Sequence, residues 1–157
     1  MKIGVLSDSH GNVTSIERAI KALEECNIIY HLGDYIRDLK LIKDRLGLPM
    51  IAIRGNCDLH SEGIKEVVER VEGVNIFLTH GDRYDVKFNL FKLRYKAMET
   101  NSSLVLYGHT HIGKIEKEEG IYYVNPGSVA EPRGSSKATI AIIEINEGVI
   151  KPELVEI

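Results

Sequence analysis

Ile3-Gly4-Val5-Leu6-Ser7-Asp8-Ser9-His10-Gly11 joins a short apolar run to two polar side chains of the kind that bind metal ions. Residues 3–6 are mostly aliphatic, which predicts a buried β-strand. Asp8 and His10 follow this strand directly. In α/β folds ligands bind beyond the carboxyl ends of the strands, so the order predicts a ligand site at this point.

Four further apolar runs end in the same way. They cover residues 28–32, 50–53, 76–78 and 104–107, and they are followed by Asp34, Asn56, His80 and the pair His109 and His111. Because strands of one sheet place their carboxyl ends at a common edge, we expect these side chains to converge. The recurrence predicts a site for two metal ions.

Helical patterns separate the early strands. Asn12 or Thr14 can cap a helix that runs to about Glu25, and a second helix is predicted over 38–46. A third helix is predicted over 85–101, with its aromatic side chains packed against the core. The early part of the chain therefore alternates strand and helix.

The remaining strands are predicted as hairpins, because period-two patterns flank glycine-containing turns. The predicted hairpins cover residues 66–78, 113–124 and 138–155. No repeat or linker-like segment divides the sequence. We therefore expect one α/β domain over residues 1–157 with mixed β-sheets.

The composition narrows the function classes. The 157 residues are 43% hydrophobic and 27% charged, which is typical of one soluble globular domain. A net charge of −3 without a Lys/Arg block disfavours nucleic acid as a partner. No apolar run is long enough to span a membrane, and no signal-peptide pattern follows Met1, so we expect a cytoplasmic location. Cys26 and Cys57 are expected to be thiols.

Five motifs, in this order, resemble the signature of the calcineurin-like metallophosphoesterase superfamily: Asp8-Ser9-His10, Gly33-Asp34, Gly55-Asn56, His80 and Gly108-His109-Thr110-His111. Segments 54–58, 78–82 and 125–128 look most like the small bacterial and archaeal phosphodiesterase branch of that superfamily. The resemblance spans nearly the whole chain. It implies the family's fold, a sandwich of two mixed β-sheets flanked by helices.

The resemblance also implies a dinuclear metal centre with seven ligands. These are Asp8, His10 and His111 for one ion, Asn56, His80 and His109 for the other, and Asp34 as the bridge between them. Imidazole mixed with oxygen ligands suits transition-metal ions, first Mn and then Ni, Fe, Co or Zn, better than Mg or Ca. A bridging carboxylate would hold the two ions close enough to act on one phosphoryl group.

The implied activity is phosphodiester hydrolysis. A hydroxide held by the two ions attacks phosphorus, with Asp34, Asn56 and His109 in the catalytic centre. Two divalent ions, two carboxylates and one hydroxide carry a formal charge of about +1, which matches a singly negative phosphodiester. We therefore expect a small phosphodiester as substrate. A nuclease is less favoured, because the acidic chain shows no basic groove.

A non-enzymatic scaffold is the alternative function. The same fold occurs in a retromer subunit that binds partner proteins, and fold does not determine function. No large exposed apolar stripe is evident from the sequence, which weakens this alternative. A homo-oligomer is compatible with either function.

The chain departs from many relatives after the motif's asparagine, where they carry a histidine that protonates the leaving group. Here that residue is Cys57, so we expect preference for leaving groups that depart easily. Cys57 is either a packed thiol or a substrate-contacting residue, because a neutral thiol is a poor donor. His60 is either a substitute acid or a loop histidine.

Five other polar residues have two interpretations each. Asn12 either approaches the phosphate or only caps its helix. Arg133 either reaches the substrate from a Gly/Pro-marked loop or is a solvated loop residue. His31 is either a core histidine bonded to the backbone or a group that orients the site. Asp58 and Asp82 either orient imidazoles or cap loops.

Overall fold

The computed structural model describes residues 1–59, 61 and 63–157 of the chain. Its first half contains β1 (Lys2–Leu6), α1 (Val13–Leu23), β2 (Ile28–His31), α2 (Leu39–Leu46) and β3 (Met50–Ala52). The rest contains β4 (Glu66–Val71), β5 (Val74–Thr79), α3 (Phe91–Glu99), β6 (Leu104–Tyr107), β7 (Gly113–Glu118), β8 (Ile121–Pro126), β9 (Thr139–Asn146) and β10 (Val149–Glu156). Short 3₁₀ helices, Ile36–Asp38 and Asp82–Tyr84, follow β2 and β5.

The strands form two five-stranded mixed sheets. The first sheet has the order β10-β9-β1-β2-β3, and the second has the order β4-β5-β6-β8-β7. β1, β2 and β3 are parallel to one another, and so are β5, β6 and β8. The hairpin partners β4, β7 and β10 are antiparallel to their neighbours. The architecture is the predicted sandwich of two mixed sheets.

The main apolar core lies between the two sheets. Ile3, Tyr30, Ile76 and Leu106 are fully buried there. A second apolar cluster joins α1 and α2 to the first sheet, and a third joins α3 to the second sheet. Each buried aliphatic side chain contributes about 2 kcal/mol relative to its exposed state. The helices therefore flank the sandwich, which confirms the expected arrangement.

The helix boundaries follow local signals in the first half. The side-chain oxygen of Asn12 accepts the N–H of Ser15 at 3.1 Å and caps α1, while Thr14 lies inside the helix. The helix ends at Leu23, slightly before the predicted Glu25. α2 ends at Gly47, whose left-handed φ of 63° closes the helix.

The prediction for the third helix was wrong in two respects. The helix begins at Phe91 and not at residue 85, because Asp85 adopts a left-handed φ of 54° that a right-handed helix cannot contain. Its aromatic side chains do not pack as expected, since Phe88 and Tyr95 are 87% and 76% exposed. Phe91 and Met98 of the same helix are also exposed, which the sequence did not reveal.

Within the described residues, no helix has the length and apolar character that crossing a membrane requires.

Candidate metal centre

The seven predicted ligands lie in five loops at one edge of the sandwich. Three of these loops follow the parallel strands β1, β2 and β3 of the first sheet. The other two follow β5 and β6 of the second sheet. The loops carry Asp8, His10, Asp34, Asn56, His80, His109 and His111. Both sheets therefore supply donors to one region.

The first group of donors consists of Asp8, His10, Asp34 and His111. One ligand atom from each lies within 4.8 Å of the corresponding atoms of the others. Asp8, Asp34 and His111 are buried, and His10 is partly exposed. All four residues have positive φ angles, a conformation that is uncommon outside glycine. Strained backbone of this kind concentrates at functional sites.

The tautomer of His111 makes this group a cation site. Its Nδ1 lies 2.7 Å from the carbonyl oxygen of Glu131, which can only accept, so Nδ1 carries the proton. In the neutral ring Nε2 is then unprotonated, and it lies 3.0 Å from Asp8 Oδ1. Two lone pairs face each other at this distance. A proton or a metal ion between them removes the repulsion.

The second group of donors surrounds His80. Its Nδ1 donates to the carbonyl oxygen of Leu32 at 2.7 Å, which leaves Nε2 unprotonated in the neutral ring. That Nε2 lies 3.1 Å from Asn56 Oδ1, 3.2 Å from His109 Nδ1 and 3.6 Å from Asp34 Oδ1. Ligands about 2.1 Å from one ion lie about 3 Å apart, so the separations fit a metal ion.

The pKa shifts of the donors reflect their burial and their short distances from one another. Burial alone would raise the pKa of the Asp8 carboxyl, but the pairing with His111, the charge of His80 and the Ser7 hydroxyl together keep it below its ordinary value. Burial likewise opposes the charged form of His111, yet Asp8 raises its pKa overall. For His109, burial and the neighbouring His80 and Lys87 lower the pKa to about 4. His109 is therefore neutral and able to ligate at physiological pH.

Both groups fit divalent ions by their own chemistry. Asp8 Oδ1 and His10 Nε2 are buried atoms without a hydrogen-bond partner in the described part of the chain. Buried polar atoms are normally satisfied, so these two require a partner. Asp34 reaches both groups, because it belongs to the first group and its Oδ1 faces His80. The donor set of imidazoles, carboxylates and one amide suits transition-metal ions.

A carboxylate behind the centre holds two of the loops together. Asp58 is buried, and its oxygens accept the backbone N–H groups of Asp34, Tyr35, Ile36 and Gly55 at 2.9–3.0 Å. It therefore caps loops, and within the described residues its carboxylate accepts no hydrogen bond from an imidazole. Sequence reasoning left both roles open. An aspartate two residues after Asn56 was the available signal.

A buried chain of hydrogen bonds supports the loop after β1. His31 Nδ1 accepts the N–H of Gly33 at 3.2 Å, so its Nε2–H donates to Ser9 Oγ at 3.0 Å. Ser9 in turn donates to Asp38 Oδ2 at 2.7 Å, and the same oxygen accepts the N–H of Gly11. Burial lowers the pKa of His31 to about 4, so it stays neutral. His31 combines both of its predicted interpretations.

Two residues of segment 125–128 support the remaining loops. Asn125 Nδ2 donates to the carbonyl oxygen of Gly108 at 2.8 Å and to Thr110 Oγ1 at 3.0 Å. Ser128 Oγ donates to the carbonyl oxygen of Asp8 at 2.7 Å. In the sequence, segment 125–128 was noted for its resemblance to the small phosphodiesterase branch, and no role was predicted for Asn125 or Ser128.

Comparison with known proteins identifies the family. Residues 1–148 match the domain of the calcineurin-like phosphoesterase superfamily. The chain belongs to that superfamily. It is 30% identical over 146 residues to the probable metallophosphoesterase YsnB of Bacillus subtilis, covering 92% of this chain and 85% of the relative. Membership confirms the resemblance seen in the sequence.

Two other similar proteins agree with this family. The phosphodiesterase MJ0936 of Methanocaldococcus jannaschii is 30% identical over 145 residues, or 81% of this chain and 83% of that protein. A crystal structure from Streptococcus pneumoniae, described as a predicted phosphoesterase, is 29% identical with a TM-score of 0.84. It covers 99% of this chain and 88% of its own. The homology supports a hydrolase of the phosphoesterase kind.

The three residues predicted to contact the substrate have different surroundings. Cys57 is exposed and its N–H donates to Asp34 Oδ1 at 2.8 Å. Burial of the thiol and its hydrogen bond with Asp34 raise the pKa of Cys57 to about 11. Asn12 is an exposed helix cap, and Arg133 is exposed in the loop that follows Ser128. His60 lies outside the described residues.

Asp82 takes a different position from Asp58. It begins the 3₁₀ helix Asp82–Tyr84, and its charge acts on His109 by opposing the fall in pKa. Lys87, which sequence reasoning did not single out, acts on the same ring in the opposite direction. Nothing in its sequence context distinguished Lys87 from other surface lysines.

Proposed function

We propose that this protein is a metal-dependent phosphodiesterase with a dinuclear centre. In this proposal Asp8, His10 and His111 bind one ion, Asn56, His80 and His109 bind the other, and Asp34 bridges them. The observation that carries the proposal is the pair His111 Nε2 and Asp8 Oδ1, two lone-pair atoms 3.0 Å apart in a buried site. Either a proton or a metal ion between its members stabilises such a pair, and the further donors His10 and Asp34 beside it favour the metal ion.

The bound ions would supply Lewis acidity toward the phosphate oxygens and a nucleophilic water at neutral pH, with Mn favoured and Ni, Fe, Co or Zn as alternatives. The residues of the chain prepare the site for these ions. The carbonyl oxygens of Leu32 and Glu131 fix the tautomers of His80 and His111, so both Nε2 atoms stay directed into the centre. Asp34 supports the role of bridge because it belongs to the first group and faces His80, while Asn56 and His109 lie beside His80 in the second group.

The leaving group receives little help from Cys57. A thiol is a weak hydrogen-bond donor and a poorer proton donor to a leaving oxygen than a protonated histidine. The proposed substrate is therefore a small phosphodiester whose leaving alcohol departs as a stable anion. The proposed location is the cytoplasm, in line with the free thiols of Cys26 and Cys57.

Hydrolysis of bis(p-nitrophenyl) phosphate tests this function. Metal-stripped wild-type protein is assayed with and without Mn²⁺ or Ni²⁺, and bound metal is counted by mass spectrometry. We expect turnover only with metal and two ions per chain. Asp34→Ala and His109→Ala should lower turnover by about 10³-fold or more while circular dichroism stays unchanged.

The exposed carboxylate Asp44 provides the matched control, because Asp44→Ala removes the same group far from the centre. Near-normal activity in both site variants would overturn the site assignment. If the folded wild-type protein hydrolyses no bis(p-nitrophenyl) phosphate with any of the metals, the non-enzymatic scaffold is favoured instead.

A further inference from the structure

A cavity of about 660 Å³ lies beside the metal centre. Thr110, which separates His109 from His111, is part of its wall, and so is Arg133. The backbone N–H of Arg133 donates to the carbonyl oxygen of His111 at 3.2 Å, which fixes that wall to the centre. Cavities of about 300–1,000 Å³ are typical of small-molecule sites. A substrate on the metal ions has room to extend into this one.

One part of the cavity wall is aromatic and exposed. Phe88 is 87% exposed and Phe91 is 60% exposed, although both line a concave surface. The guanidinium of Arg94 lies 5.6 Å from the ring centre of Phe91 and covers part of one face. Ile112, 44% exposed, adds a further apolar surface. Aromatic faces of this kind stack with the flat rings of nucleobases.

The other part of the wall is positively charged. Lys87, Arg94, Lys114 and Arg133 line the cavity with one carboxylate, Glu116. Lys114 pairs with Glu116 at 3.0 Å, and Arg94 pairs with Glu118. Among the described residues no carboxylate lies within 4.0 Å of the charged groups of Lys87 or Arg133. These two cations are therefore left to an anionic ligand.

We propose that the cavity binds a nucleotide-type arm of the substrate. The aromatic base of that arm lies against Phe88 and Phe91, and a phosphate group in addition to the scissile one binds Lys87 and Arg133. This inference rests on the proposed phosphodiesterase function and names its substrate class. The metal centre neutralises the single charge of the scissile phosphodiester, so Lys87 and Arg133 are available to a second anionic group.

Three competing ligands distinguish the contribution of the base to affinity from that of the second phosphate. They are thymidine 3′,5′-bisphosphate, thymidine 5′-monophosphate, which lacks the second phosphate, and 2-deoxyribose 3,5-bisphosphate, which lacks the base. Each compound is tested as an inhibitor of bis(p-nitrophenyl) phosphate hydrolysis by Mn²⁺-loaded protein. Calorimetry then measures the Kd of each compound without turnover. We expect the complete bisphosphate to bind about tenfold more tightly than either partial ligand.

Substitutions in the cavity wall identify the residues that provide these differences in affinity. Phe91→Ala should abolish the advantage that the base provides, and Arg133→Ala and Lys87→Ala should each lower the advantage of the second phosphate. Tyr95→Ala is the matched control, because Tyr95 is an exposed aromatic residue of α3 outside this cavity. Lys40→Ala on α2 is the control for charge. Both controls should keep the wild-type ratios.

Equal affinity for the three ligands in a protein that hydrolyses the diester would overturn this inference and leave the phosphodiesterase function intact. If hydrolysis fails, calorimetry still decides whether the cavity selects the nucleotide. Sedimentation tests the competing occupant. A dimer that Phe91→Ala dissociates without changing any Kd would show that a second copy of the chain covers the aromatic wall.

Discussion

The Asp58 carboxylate accepts the backbone N–H of Asp34 at 2.9 Å, and Cys57, the residue before Asp58, donates its backbone N–H to Asp34 Oδ1 at 2.8 Å. The two aspartates thereby define each other's position. One is the proposed metal bridge, and the carboxylate of the other lies behind it and accepts backbone N–H groups of the loops after β2 and β3. The position of the bridge therefore depends on a residue that binds no metal.

Asp58→Asn should lower the free energy of unfolding by about 2 kcal/mol, because an amide presents N–H groups to some of the four backbone donors that the carboxylate accepts. Urea unfolding in the presence of a chelator measures this effect apart from metal binding. Asp44→Asn, an exposed carboxylate on α2, should change stability by less than about 0.5 kcal/mol. Equal stability of Asp58→Asn and wild type would show that the four hydrogen bonds contribute little.

Gly55→Ala should weaken metal binding more than it weakens the fold. A Cβ atom at Gly55 would overlap Asp34 Oδ1 and the backbone nitrogen of Asp34, so the bridge must move. We expect Mn²⁺ affinity to fall about 10- to 100-fold by calorimetry. Gly73→Ala is the control, because it introduces a side chain at φ +81° with no atom within 4 Å. Unchanged affinity in Gly55→Ala would contradict the position given to Asp34.

Stability should fall as the solution becomes acidic, and His31 should cause part of the fall. Burial lowers its pKa from 6.5 to about 4, so between these values the unfolded chain binds a proton that the folded chain does not. The contribution is complete above pH 6.5 and is lost as the pH falls toward 4. Between pH 7.5 and 5 the expected loss is about 2 kcal/mol.

The variant His31→Gln isolates this contribution. It removes the titrating ring and keeps an amide that can replace one of the hydrogen bonds. Urea unfolding of both proteins in chelator, at pH 7.5 and 5, should give the smaller loss for His31→Gln. The same loss in the two proteins would assign the acid sensitivity to other groups.

Cys57 should react slowly with iodoacetamide in metal-free protein, although it is exposed. A pKa raised from 9.0 to about 11 reduces the thiolate fraction by about 100-fold below pH 9. Metal ions should accelerate the reaction, because they offset the charge of Asp34 that raises the pKa. Mass spectrometry follows both cysteines, and buried Cys26 is the internal control. Fast alkylation without metal would refute the raised pKa.

The convergence of the donors was predictable from the sequence, because short aliphatic strands carry polar residues beyond their ends. The sandwich of two sheets was implied by the family resemblance. Asp8 and His111 are distant in sequence, yet each lies in the loop that follows a strand. The sequence did not predict the exposure of Phe88. An aromatic residue looks the same whether a neighbouring element covers it or not.

The hydrogen bonds of Asp58 and the effect of Lys87 on His109 could not be predicted from the sequence either. The four amides that Asp58 accepts come together only through the folding of two separate loops. The charge of Lys87 matters because its turn lies next to His109, a contact that no periodicity encodes. These features depend on loop conformation, which local propensity specifies weakly.

The donors of the proposed centre come from both sheets, and this origin has a mechanical consequence. Ions held by His80 and His109 of one sheet and by Asp8 and Asp34 of the other form a cross-link between the two layers at one edge. Without ions, the lone pair of His80 Nε2 faces those of Asn56 Oδ1 and Asp34 Oδ1, and this repulsion weakens the link between the layers. The melting temperature of this protein should therefore rise with the concentration of free metal, so that its thermal stability reports metal supply.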